Sequence, residues 1–582
     1  MSKNIDSIYF HNAREIHDLK QMLDDSCRIY AQRPAFWVKK YKGGEFLPIS
    51  YKLVKHDADA LGTKLIDMGL KGKNIAILGM GCYEWIVSYL AVVNGTGTAV
   101  PIDRELEPEA IQNLLNRAGC DTIFYSSSEA EKIGQINGMR YKVEMEFYGD
   151  RTDFDEPLIF PTARNGVISW KQLVADGEKL LQSGNRDFID TEVDRNALAV
   201  ILFTSGTTGI PKGVMLSHQN IAANIMDIWR YSGIQPNDKN LSVLPIHHTY
   251  ACTCNLAFLY SGASTVHFEG LKYILQNLKE TQATYFVVVP LIAEMIYSRI
   301  WKEVRKTGKE KLLRRAIAAN KKTKALGLDA SKILFRSVTA HLGGKLKTIL
   351  SGASSISPTV IRGFEDLGIT ILQAYGLTET APFIAVTPKL SKERYRKAGS
   401  TGLPVSSGDI KIMNENEDSI GEVWYRGPNV MLGYYKMPDE TASVMDDDWF
   451  NTGDLGFLDP DGWLYLTGRK KNVIVTKNGE NIYPEEIEAV VNNHPYVSDC
   501  MVYSSGGNGN DVVTIQIIPN MENISHELGA EPNAEELQKL MKSLIGDINE
   551  KMPNYKRIRS IILRKEDFVR TTTKKIIRKE NI

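Results

Sequence analysis

Ile75-Ala-Ile-Leu78, Glu84-Trp-Ile-Val-Ser-Tyr-Leu-Ala-Val-Val93 and Thr98-Ala-Val-Pro-Ile102 follow one another in the first quarter of the chain. The outer two runs are short, β-branched and unbroken by polar residues, as in strands covered on both faces, and the middle run reads as a helix. Glu84 and four glycines interrupt the stretch from 75 to 100 before it reaches membrane-spanning length, so it reads as buried strand–helix–strand. A helix over 107–118 and a strand over 122–125 continue the alternation. The same rhythm returns at 199–203, 241–244, 285–289 and 348–351, each apolar run followed by a loop or helix. The fold class expected is therefore α/β, with parallel sheets covered by helices and ligands held by loops at the carboxyl ends of strands.

Two regions depart from that rhythm. Residues 399–467 are rich in Gly, Pro and aromatics, with short alternating runs such as Gly421-Glu-Val-Trp-Tyr-Arg426, which predicts a small β-rich subdomain. Beyond Gly468 the pattern becomes βαββα: strand 473–475, helix 484–493, strands 497–503 and 512–518, then a helix over 533–549. A chain of 582 residues is too long for one ordinary core, and the expected organisation is an N-terminal domain over 1–468, a hinge at 469–471 and a small mobile α+β domain of ordinary size over 472–582.

Composition narrows the function classes. The 70 basic and 70 acidic residues cancel, so no overall field recruits nucleic acid. Six cysteines without a CxxC pair imply reduced thiols and a cytoplasmic setting, with neither a zinc site nor a disulfide framework. Residues 1–10 carry Asp6 and no apolar run, so no signal peptide is expected.

The 199–203 strand runs into Thr204-Ser-Gly-Thr-Thr-Gly-Ile-Pro-Lys-Gly213. Glycines let backbone N–H groups approach phosphate oxygens, the hydroxyls add donors, and Lys212 adds a compact cation. The spacing is not that of a P-loop NTPase: two residues separate Gly206 from Gly209, and Gly213 follows Lys212 where Ser or Thr would stand.

This loop, together with Leu244-Pro-Ile-His-His248, Gln373-Ala-Tyr-Gly-Leu-Thr-Glu-Thr380, Thr452-Gly-Asp454, Gly468-Arg-Lys-Lys471 and Thr573-Lys-Lys-Ile-Ile-Arg578, resembles the adenylate-forming superfamily of acyl-CoA synthetases, luciferases and peptide-synthetase adenylation domains. The blocks stand in family order and span nearly all of the chain beyond residue 50. The resemblance implies that a carboxylic acid and ATP give acyl-AMP and pyrophosphate, and that a thiol then displaces AMP. Bringing a carboxylate to ATP opposes like charges, about 4 kcal/mol at ~4 Å and an effective dielectric of ~20, so cations and N–H donors must surround the phosphates.

By the same resemblance, Thr204, Ser205, Gly206, Thr207, Thr208, Gly209 and Lys212 hold the phosphates, and Thr204 with Glu379 places Mg²⁺. Gly352, Ala353 and Ser354 line the adenine pocket with Ala374, Tyr375, Gly376 and Leu377, Tyr375 lying against the base and Thr378 at the α-phosphate. Asp454 accepts the ribose hydroxyls with Arg469 beside it. His248, preferred over its neighbour His247, approaches the acid. Lys575 bridges carboxylate and α-phosphate, although Lys574 stands where the family often has Gly. Lys471 is the hinge, and the loop of Asn478, Gly479, Glu480 and Asn481 serves the thiol tunnel in a second conformation. ATP and Mg²⁺ are the implied cofactors and CoA the implied co-substrate.

The acid is less legible. Between Ile296 and Leu346 lies an extended helical stretch, with ten Lys or Arg against two Glu over 302–324, similar to the long-chain branch; it could meet an anionic membrane surface or an acidic carrier protein, or be only a solvated helix face. The tail over 551–582, with 11 basic against 3 acidic residues, suits the phosphates of CoA or a carrier protein equally. Thr249-Tyr-Ala-Cys-Thr-Cys-Asn255 lacks the tryptophan that gates the tunnel in some long-chain enzymes. The leading expectation is a medium- or long-chain fatty acyl-CoA synthetase, with acyl–carrier-protein ligase and aryl-acid ligase as alternatives. A non-catalytic nucleotide-binding scaffold would be expected to have lost Glu379, Asp454 or Lys575, and all three are present.

Overall fold

The computed structural model describes residues 12–41, 43–145, 167–204, 211–325, 328–476, 480–506, 512–571 and 575–582. Ile75 and Ile77 of the strand Lys73–Leu78 face one hydrophobic core while Ala76 and Leu78 face another, all four fully buried. That two-sided burial follows from the period-two alternation of a strand whose residues are all apolar. The strand belongs to an eight-stranded sheet in which it pairs in parallel with Gly97–Ile102 and Thr122–Ser126. A second sheet of nine strands sets Lys239–Ser242, Tyr285–Val288, Thr348–Ser351 and Thr370–Gly376 side by side in parallel.

Between the sheets lie two helices that are buried throughout, Tyr83–Ala91 and Thr249–Tyr260. A helix enclosed on every side needs no polar face, which is why neither shows an amphipathic period. One continuous core joins both sheets.

The glycine-rich loop lies between two strands of the eight-stranded sheet. The strands on either side of it, Leu198–Thr204 and Lys212–Ser217, pair antiparallel, so a strand and not a helix follows it. Five strands between Asp409 and Arg469 form a separate antiparallel sheet. Two short pieces of the Gly- and Pro-rich region pair elsewhere: Leu403–Pro404 extends the nine-stranded sheet and Gly433–Tyr434 pairs with Lys212–Ser217.

After the turn Lys470–Asn472 a new core begins, built on the three strands Val497–Ser504, Val513–Pro519 and Ser560–Leu563 with the helices Pro484–Asn492 and Ala534–Glu550. Its joint with the preceding sheet is close. A β-carbon at Gly468 would come within 2.6 Å of the Glu485 carboxylate, and Asn472 Nδ2 donates to the same carboxylate at 2.6 Å.

Candidate active site

Strand ends deliver most of the candidate residues to one cleft. Thr370–Gly376 ends at Ala374-Tyr375-Gly376, and a side chain at Gly376 would collide with the Pro382 carbonyl at 1.9 Å, so only glycine lets the chain turn back there. Thr348–Ser351 leads into Gly352-Ala353-Ser354, where Ala353 holds φ = 76°, a left-handed conformation uncommon outside glycine and a mark of a loop constrained by its surroundings. Gly352 lies against Tyr250, whose hydroxyl donates to the carbonyls of Val288 and Leu350 at 3.1 and 2.9 Å.

The centre of the cleft is a charged cluster. Buried Asp454 accepts from the Tyr375 hydroxyl at 2.5 Å on one oxygen and from Arg469 Nε at 2.8 Å on the other. Each carboxylate oxygen keeps a further lone pair, so the group can still accept from a diol. Burial, and then the Asp454 carboxylate, push the Tyr375 phenol far above its usual range and keep it a donor. Tyr375 is thus held at its hydroxyl end, a bond that its proposed position against a base does not require.

Glu379 stands in the turn Thr378–Thr380 and accepts from the Tyr434 hydroxyl at 2.9 Å. Lys212 lies 4.8 Å from the Tyr434 ring and pairs with Glu440. Tyr434 and Glu440 escaped the reading of the sequence, since nothing local marks them and both lie far along the chain from their partners. Thr204 directs its hydroxyl to the Lys212 carbonyl at 3.4 Å. One carboxylate and one hydroxyl, with no further acidic ligand grouped with them among the described residues, fit a Mg²⁺ carried largely by phosphate oxygens and water and not one caged by protein.

The two histidines divide. His247 is buried with Nε2 3.4 Å from Asp103; burial pushes the Asp103 carboxyl up, but the nearness of His247, the Glu105 amide and His248 outweigh it and lower it to about 2. His248 begins the buried helix Thr249–Tyr260 and is only half-buried. Burial and then the neighbouring His247 bring its pKa down to about 3, with Lys575 adding to the effect, so it stays neutral and serves as a hydrogen-bonding group.

Lys575 comes from the second core. Residues 569–571 and 575–577 form a narrow ribbon: Thr571 N donates to the Lys575 carbonyl at 2.8 Å and Ile577 N to the Val569 carbonyl at 2.9 Å. Arg578 moors this ribbon, Nη2 donating to both Glu488 oxygens at 2.7 and 2.8 Å and Nη1 to the Val502 carbonyl at 2.7 Å. The Lys575 ammonium senses Arg469, Asp454, Glu379 and His248 together. Solvent reaches its side chain, yet cleft walls crowd it enough that desolvation, then Arg469, lower its pKa to about 8 against the pull of Asp454 and Glu379.

Lys471 is exposed in the joining turn. Glu480 and Asn481 are exposed at the base of a hairpin, and neither hydrogen-bonds to Asp454, Arg469 or Lys575. Ser205, Gly206, Thr207, Thr208, Gly209, Asn478, Gly479 and Lys574 lie outside the described residues.

Two results are expected from this geometry. Because a lysine with a lowered pKa is cationic only below it, kcat/KM for acid-dependent pyrophosphate release should fall as pH rises through about 8. Lys575→Arg should remove that alkaline limb, since a guanidinium stays charged. Arg578→Ala should leave the half-buried Glu488 with only the Val502 amide as a partner and cost about 1–2 kcal/mol in a urea titration of the chain. An unchanged unfolding midpoint would show that the mooring carries no weight.

The model of the AMP-binding enzyme family matches residues 23–435, and that of the AMP-binding enzyme C-terminal domain matches 471–582. Long-chain-fatty-acid–CoA ligase 5 of Rattus norvegicus is 28% identical over 97% of the chain and 86% of its own length. Long chain acyl-CoA synthetase 6, peroxisomal, of Arabidopsis thaliana is 28% identical over 82% of the chain and 70% of its own. Among solved structures, an anthranilate CoA ligase in complex with anthranoyl-AMP superposes with a TM-score of 0.74 at 19% identity, covering 98% of this chain and 96% of that one. ATP-bound MatB from Rhodopseudomonas palustris gives 0.71 at 22% identity, covering 97% and 98%.

Proposed function

Since the chain belongs to the AMP-binding enzyme family, we propose that it is an AMP-forming acid–thiol ligase that activates a fatty acid with ATP and passes the acyl group to CoA. One observation carries the reading: Lys575 from the C-terminal core shares a cleft with Asp454, Arg469, Glu379 and His248 from the N-terminal one.

In the first step a carboxylate oxygen attacks the α-phosphorus and the bond to pyrophosphate breaks. Lys575 stabilises the charge that develops on the carboxylate and α-phosphate, Lys212 neutralises the departing phosphates after leaving Glu440, and neutral His248 orients the acid. Asp454 and Arg469 hold the ribose, and Tyr375 fixes the Asp454 carboxylate. Glu379 and Thr204 would hold Mg²⁺, which would supply charge neutralisation. In the second step a thiolate attacks the acyl carbon and AMP leaves. That step is assigned to a second arrangement, reached by rotation at Lys471, in which Lys575 withdraws and the 478–481 loop approaches. A long-chain acid is favoured by the relatives' named substrates over most of the chain's length.

The test is pyrophosphate release from ATP with acetate, butyrate, octanoate, palmitate, benzoate or amino acids, with and without CoA. Release that peaks with a fatty acid and rises with CoA supports the reading. A peak with benzoate would move the substrate class to aryl acids. Release indifferent to CoA but stimulated by a carrier protein would move the acceptor.

A further inference from the structure

The helix Glu310–Ala325 turns an unusual face to solvent. Lys311, Arg315 and Lys322, at steps of four and seven, form one exposed stripe. None of the three has an anionic partner among the described residues. Other cations of this region are engaged: Arg314 with Glu310 at 2.7 Å, Lys321 with Asp366 at 2.9 Å, Lys302 with Glu522 at 2.5 Å and Lys324 with Asp329 at 3.5 Å. Arg305, Lys306 and Lys309 just before the helix are exposed and equally unpaired among the described residues.

Large apolar side chains accompany the stripe. Leu312 is 67% exposed on the helix itself, and Leu328 and Ile333 are 67% and 81% exposed just beyond it. That following turn is fastened to the helix, Leu328 N donating to the Thr323 carbonyl at 2.9 Å and Ala330 N to Asn320 Oδ1 at 3.0 Å. Burying Leu313 and Asn320 below while exposing Leu312 and Ile333 costs apolar hydration that a helix serving only as a cover does not need to incur.

We propose that this surface docks the protein on an anionic lipid bilayer. Unpaired cations match the negative potential of such a surface, and exposed aliphatic side chains on the same helix and the turn fastened to it match its acyl boundary. An acidic protein would satisfy the cations alone, whereas a bilayer satisfies both features. No helix among the described residues is long and apolar enough to cross a membrane, so the contact is peripheral. The inference stands on the surface alone, whichever acid the cleft activates.

Sedimentation of the full chain with vesicles of phosphatidylcholine, with and without phosphatidylglycerol, tests it. Binding should appear with phosphatidylglycerol and weaken as salt rises. Combined Lys311→Glu, Arg315→Glu and Lys322→Glu should lower the partition coefficient at least about tenfold. Leu312→Ser with Ile333→Ser should remove the binding that survives at high salt. Both variants should release pyrophosphate with a soluble acid at the parent rate, which separates lost docking from lost folding. Equal binding to both vesicle types, no binding to either, or variants that bind like the parent would overturn the proposal. A chain that ignores vesicles but is retained by an acidic carrier protein would overturn it in favour of a protein partner.

Discussion

Lys575→Ala is expected to lower acid-dependent pyrophosphate release by about a thousandfold while acyl transfer from supplied acyl-AMP to thiol stays close to the parent rate. The asymmetry follows from where charge develops. During adenylation the carboxylate and the α-phosphate approach as like charges, and Lys575 is the cation that the C-terminal core contributes to the cleft. In the thioester step the phosphate already carries the acyl group and leaves as AMP, so a cation in that position has less to stabilise. Lys574→Ala is the paired control and should leave both half-reactions near the parent rates. If the two lysines exchange behaviour, the catalytic role belongs to Lys574. If Lys575→Ala slows both half-reactions alike, the lysine is structural.

Much of this cleft was legible because its residues sit in short, dense blocks. Thr204, Tyr375, Glu379, Asp454 and Lys575 each lie in a run of a few residues whose types suit phosphate, base, cation, sugar or developing charge. The strands were legible for a simpler reason: with both faces buried they are apolar end to end, as at Ile75–Leu78. What stayed hidden depends on partners remote in the chain. Tyr434 reaches Glu379 across 55 positions, Tyr375 reaches Asp454 across 79, and Lys212 reaches Glu440 across 228. No local pattern announces such pairs.

The buried helix Thr249–Tyr260 was hidden by its own environment. Enclosed on all sides, it has no polar stripe to set a period, and its cysteines, threonines and aromatics read as readily as strand or loop. The antiparallel strand that follows the glycine-rich loop was equally silent, because a run of glycines and small polar residues precedes strands and helices alike.

Lys471→Pro is expected to leave pyrophosphate release within a few-fold of the parent while cutting acyl transfer to thiol by about a hundredfold or more, the mirror image of Lys575→Ala. Lys471 lies in the 3₁₀ turn Lys470–Asn472, a conformation whose φ is generally about −50 to −70°. Proline fixes φ at about −65°, so it is compatible with the arrangement that brings Lys575 into the cleft. Its missing N–H costs nothing here, because the turn's bond runs from Val473 N to the Lys470 carbonyl and does not use the Lys471 amide. A rotation that needs a new φ at this residue is blocked, and the 478–481 loop is then held away from the cleft. Separate rates for pyrophosphate release and for thioester formation from supplied acyl-AMP decide the matter. Loss of the first with retention of the second would mean that proline favours the other arrangement. Equal retention of both would place the hinge at Arg469 or Lys470, whose peptide torsions flank the same joint.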